Sequence, residues 1–137
     1  MIKSTASNFL GLPDKYSTYE DSRVAVLPVP YEGTVSYGKG TAKGPHAIIQ
    51  ASAQVELFDD ELGFEPCEVG VTTLGPLGVG CLSPQNMASM VSGSVEKIVG
   101  DKKLPIILGG EHSITPPVVE VIKKFHQDIT VVQFDAH

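Results

Sequence analysis

The sequence predicts an α/β domain of three layers, α/β/α, on a mostly parallel sheet. Two observations lead there: four short apolar runs alternate with amphipathic helical stretches, and the runs are apolar throughout instead of alternating with polar residues. A strand covered on both faces needs apolar side chains on both, whereas a strand with one wet face alternates. The helices that return the chain between parallel strands supply the two covering layers. With 137 residues and 42% hydrophobic composition, the chain can bury one core, and nothing in its length calls for a second.

Residues 1–22 read as an N-terminal arm, and 23–137 as the domain proper. Arg23 to Pro28 is an apolar run closed by prolines, and so a buried strand. A helix is expected over 45–58, with Pro45 at its first position and Ile48, Ala51, Val55 and Phe58 along its inner face. Glu68 to Leu74 gives the second strand, and Gly75 to Pro84 a loop rich in glycine and proline. The next helix covers 85–99, with Met87, Met90, Val91, Ser94 and Ile98 turned inward and the methionines filling core. Pro105 to Leu108 is the third strand. Thr115 should cap the following helix, with Pro116 at its first position and Ile114, Val118, Val121, Ile122 and Phe125 as its stripe. Ile129 to Phe134 is the fourth strand, which leads into Asp135.

The formal net charge of −6 argues against electrostatic binding to nucleic acid or to an anionic membrane, and favours a small cation as partner. Residues 1–7 lack the apolar core of a signal peptide, and no stretch approaches the roughly 20 apolar residues of a membrane span. The expected location is the cytoplasm. Its reducing conditions leave Cys67 and Cys81 without a disulfide, in structural or incidental roles.

Two segments carry chemistry. Gly109-Gly110-Glu111-His112-Ser113 and Gln133-Phe134-Asp135-Ala136-His137 each follow an apolar run, where a buried strand should end. In extended chain, side chains two residues apart point the same way, so Asp135 and His137 can face one metal ion while Ala136 points away. His112 holds the matching place after the preceding strand, and parallel sheets bind ligands beyond the carboxyl ends of their strands. The metal-ligand set is therefore His112, Asp135 and His137. Glu111 is a ligand, an acceptor that orients His112, or a surface acid. His46 and His126 sit beside no other ligand type and read as surface or helix-end residues.

Gly33 to Gly40 almost spells a phosphate-binding loop, but Gly40 stands where the magnesium-binding hydroxyl should be, and Pro45 starts the helix too late. The glycines are better suited to a loop folded over the sheet edge, with Tyr31, Ser36 and Tyr37 lining a pocket.

Taken in order, Leu27-Pro28-Val29-Pro30-Tyr31-Glu32-Gly33-Thr34, Gly44-Pro45-His46-Ala47-Ile48-Ile49, the Gly-Gly-Glu-His-Ser turn and Asp135-Ala136-His137 resemble the ureohydrolase family of arginase, agmatinase, guanidinobutyrase and formiminoglutamase. The wording is closest to the agmatinase branch, and the resemblance runs from Phe9 onward. It implies an arginase-like fold and a hydrolase with two manganese ions (Mn2+): His112 on one ion, His137 on the other, Asp135 bridging. The implied reaction is agmatine to putrescine and urea, with arginase, guanidinobutyrase or formiminoglutamase activity, or a non-catalytic subunit on the same fold, as alternatives. Family members commonly form trimers or hexamers. The resemblance also implies a further aspartate two residues after His137 and a later Asp-x-Asp pair. The expectation is thus the front part of a ureohydrolase, truncated after its fourth strand, sticky and with little or no urea-forming activity by itself.

Overall fold

The computed structural model describes residues 8–136. Its strands are β1 (Val24–Val29), β2 (Val71–Thr73) and β3 (Leu104–Gly109), and its helices α1 (Gly44–Ser52), α2 (Pro84–Gly100) and α3 (Thr115–Phe125). All pairings are parallel, in the order β2-β1-β3, so the first strand is central. Ala25, Leu27 and Val29 of β1 face a cluster formed with Val91 and Val95 of α2 and Val121 of α3. Val26 faces the opposite layer, where Leu12, Cys67 and Val71 pack on it. The central strand β1 is covered on both faces, the arrangement the unbroken apolar runs predict, whereas β3 has no fully buried residue. Among the described residues no helix is long and apolar enough to cross a membrane, and Cys67 and Cys81 are both free thiols.

The bounds of β1, α2 and β3 follow the sequence closely. Ser83 caps α2 by accepting the Asn86 N–H at 3.3 Å, and Pro84 follows at the first helical position. Five expectations need correction. First, α1 stops at Ser52, whose hydroxyl donates to the Ile49 carbonyl at 2.7 Å and accepts the Leu10 N–H at 2.8 Å. Its inner face is Pro45, Ile49 and Ser52, while Ile48, Val55 and Phe58 are exposed. Second, residues 66–69 form a 3-10 turn, so β2 starts only at Val71. Gly70 turns the chain at φ 81° with its Cα hard against Ser22, where a Cβ would lie 2.7 Å from the Ser22 Cα. Third, α2 buries Val95, whereas Met90 is exposed.

Fourth, Thr115 does not cap α3. A 3-10 turn at His112–Ile114 runs straight into the helix, and Thr115 is already helical. Pro116 and Pro117 bring no N–H, which removes two of the orphan donors a cap would serve. Fifth, no strand forms over 129–136. Val131 and Val132 are exposed and Phe134 is 96% exposed. A strand of that composition needs cover on both faces, and among the described residues no layer lies across it. The outer edge of β3 is therefore unpaired among the described residues.

Candidate active site

The site lies beyond the carboxyl ends of β1 and β3, where the 30–43 loop meets the 110–114 turn. Gly110 permits the meeting, because a Cβ there would come 2.1 Å from the Tyr31 carbonyl oxygen. Tyr31 itself is buried and donates its hydroxyl to the Leu82 carbonyl at 3.3 Å. It belongs to the core, a correction to its expected place in a pocket wall. Ser36 and Tyr37 do line a cleft of about 390 Å3, opposite Glu111, His112 and Ser113. Tyr37 stands at the loop tip, 98% exposed.

Two carboxylates pin the loop. Oε2 of Glu32 accepts the N–H groups of Gly40 at 2.6 Å and Ala42 at 3.0 Å, and the Thr41 hydroxyl at 3.1 Å. Those backbone bonds, from Ala42 and then Gly40, hold the Glu32 carboxyl below its ordinary pKa. The donors that a phosphate would need are thus spent on a carboxylate of the same chain. Glu111 accepts the Thr34 N–H at 3.1 Å and the Thr34 hydroxyl at 2.6 Å, and a hydroxyl from Ser113 at 2.5 Å. Partial burial raises the Glu111 pKa, but the bonds from Ser113 and Thr34 outweigh it and the carboxyl titrates below the ordinary range. Both oxygens are engaged by the loop and by Ser113.

His112 projects from the turn with its side chain largely exposed, and its Nδ1 lies 3.7 Å from Oδ2 of Asp135. That is ion-pair distance, too long for a hydrogen bond. Gln133 Nε2 donates to the same Asp135 oxygen at 2.8 Å. Two of the three residues singled out in the sequence therefore meet, although the segment carrying Asp135 is not a strand. His137, the third, lies outside the described residues. Among the described residues no group of three potential ligands forms. His46 and His126 are exposed, on α1 and just past α3. Sequence reading did not find Glu32 and Thr34, because their bonds depend on how the loop folds back and no spacing rule announces them.

The sequence profile of the arginase family matches residues 22–137. This chain belongs to the arginase family. It is 40% identical over 127 residues to the N(1)-aminopropylagmatine ureohydrolase of Synechocystis sp., covering 88% of this chain and 42% of that protein. It is 31% identical to the agmatinase of Halalkalibacterium halodurans, covering 88% of this chain and 42% of the relative. The agmatine ureohydrolase of Thermoplasma volcanium superposes with a TM-score of 0.75 at 26% identity, over 85% of this chain and 39% of its own. This arginase-family chain thus spans about two fifths of the length of the curated relatives it matches.

Proposed function

We propose that this chain is part of a metal-dependent hydrolase that splits a guanidinium cation into urea and an amine, with agmatine as substrate and putrescine as product. The observation that carries the reading is the pairing of His112 Nδ1 with Asp135 Oδ2 at 3.7 Å, at the carboxyl edge of a parallel sheet in an arginase-family chain. An imidazole nitrogen and a carboxylate oxygen so placed can share one divalent cation, and mixed ligation of this kind suits manganese. In the proposal His112, Asp135 and His137 would contribute to holding two Mn2+ ions. When bound, such a pair of ions supplies a hydroxide at neutral pH by lowering the pKa of a shared water.

The protein's own residues do the remaining work. Gln133 fixes one oxygen of Asp135 by donating to it. Glu32 and Glu111, held ionised beside the cleft, favour the approach of a cation and disfavour anions. The departing amine needs a proton. A second reading, agmatine bearing an N1-aminopropyl arm, is favoured by the relative of that name at 40% identity against 31% for the agmatinase. The complete protein is proposed to act in the cytoplasm as a trimer or hexamer.

The test is urea release by the full-length gene product, loaded with Mn2+, from agmatine, N1-aminopropylagmatine, arginine and guanidinobutyrate. Formiminoglutamate belongs in the same panel, followed by its own products. Preference for an agmatine-type substrate, abolished in His112→Ala, is the expected result. Preference for arginine, guanidinobutyrate or formiminoglutamate would move the protein to another branch. No turnover and no Mn2+ binding would leave the non-catalytic reading.

A further inference from the structure

Glu111 sits beside His112, and its carboxylate is bound by the neighbouring loop. It takes both hydrogen-bond donors of Thr34, the N–H and the hydroxyl, across 77 residues of sequence. It also takes the hydroxyl of Ser113 on the far side of His112. The backbone carrying His112 packs closely on the loop, since a Cβ on Gly110 would come 2.1 Å from the Tyr31 carbonyl oxygen, while the His112 side chain itself is largely exposed. At the loop's other end, Glu32 binds Gly40, Thr41 and Ala42. The Glu111 carboxylate is thus the side-chain tie between the start of the loop and the turn.

We propose that Glu111 is a positioning residue that latches the 33–40 loop to the Gly110–Ser113 turn and thereby sets where His112 stands for a metal ion. The part concerning metal rests on the function proposed above. The latch itself does not. It needs an acceptor for the Thr34 N–H and polar contact with two hydroxyls, and it does not need a negative charge. A glutamine can supply this, because its carbonyl oxygen accepts the Thr34 N–H while the Thr34 and Ser113 hydroxyls rotate to accept from its amide. An alanine cannot. A residue that bound metal through its carboxylate, or acted through its charge, would lose its role in both variants.

The experiment compares wild type, Glu111→Gln and Glu111→Ala by amide exchange and by the ring resonances of His112, first without metal and then during Mn2+ titration. Without metal, Glu111→Ala should speed exchange at Thr34 and shift the His112 ring signals, while Glu111→Gln stays near wild type. With Mn2+, paramagnetic broadening at His112 should need about tenfold more metal in Glu111→Ala, the low end of what partners of metal-bound residues contribute. Glu111→Gln should stay within about threefold of wild type. Unchanged Thr34 exchange in Glu111→Ala overturns the latch, as does a Glu111→Gln variant as impaired as Glu111→Ala. If wild type shows no broadening at His112, the metal reading fails and the metal-free measurements alone judge the latch. Should Glu111→Ala not fold, Thr34→Val replaces it. That variant keeps the N–H and removes one hydroxyl, and must loosen the turn and shift His112 partway.

Discussion

Glu32 and Tyr19 titrate in opposite directions from their ordinary values, Glu32 through backbone hydrogen bonds and Tyr19 through burial and then a hydrogen bond. The backbone N–H groups of Ala42 and Gly40 stabilise the ionised form of Glu32, so its folded pKa lies below its unfolded one. The linked stability is present above the ordinary carboxylate pKa and is lost as pH falls through the lowered value. Protection of the Gly40 and Ala42 amides should therefore persist into acid and then collapse, whereas Glu32→Ala should lack it at every pH. Equal protection factors in the two proteins would refute the anchoring role. Tyr19 moves the other way: burial, then its hydroxyl bond to Asp101 at 2.6 Å, raises its pKa from 10.0 to about 12. Asp101 is itself held low, first by the Lys97 ammonium at 2.8 Å and then by Tyr19. A raised folded pKa means stability fully present below pH 10 and lost as pH climbs through about 12. Tyr19→Phe should flatten that alkaline decline in denaturant midpoints measured across the interval, and a decline of unchanged slope would assign it to other groups. None of these bonds was legible in the sequence. His112 and Asp135 could be singled out, because a ligand type after an apolar run is a local pattern, and they stand 3.7 Å apart, whereas a partner 77 or 82 residues away is set only by packing.

Elements were legible where two signals coincided. The start of α2 could be read from Ser83 and Pro84, and β1 and β3 from apolar runs closed by proline or glycine. Where the signals conflicted, packing decided. Residues 45–58 offer apolar side chains on two helix faces, and the fold uses the one that continues from Pro45 through Ile49. The short β2 is set by the contact of Gly70 with Ser22, which no local pattern reveals. The inner stripe of α2 is Met87, Val91, Val95 and Ile98, turned slightly from the expected face. Substitution distinguishes the two stripes. Ile98→Ala, at a fully buried position, should cost about 2–5 kcal/mol. Met90→Ala, exposed, should stay within about 0.5 kcal/mol of wild type. Denaturant unfolding of both variants measures the difference, and comparable losses would restore the expected face.

For the molecule as a whole, the determining feature is where apolar surface goes uncovered. The sequence places that exposure on a fourth strand over 129–134. The structure moves it to the strand before: Leu104 and Ile106 are exposed, at 62% and 37%, on a β3 whose outer edge has no pairing partner among the described residues. Val131, Val132 and Phe134 add apolar surface without forming a strand. An unpaired edge with apolar side chains is a template for strand addition between chains, and a charge on that edge blocks it. Charge repulsion works against association too, since the chain carries a net −6. The two effects separate by salt, because added ions screen the repulsion and leave the apolar edge untouched. This 137-residue chain should therefore associate reversibly as its concentration rises, more strongly at high salt, and should bind a hydrophobic dye. Ile106→Lys should reduce both without lowering the helical signal. Sedimentation velocity across a concentration and salt series measures this. A monomer at every condition would mean that the 129–136 segment shields the edge in solution, whereas association unaffected by Ile106→Lys would place the contact on another face.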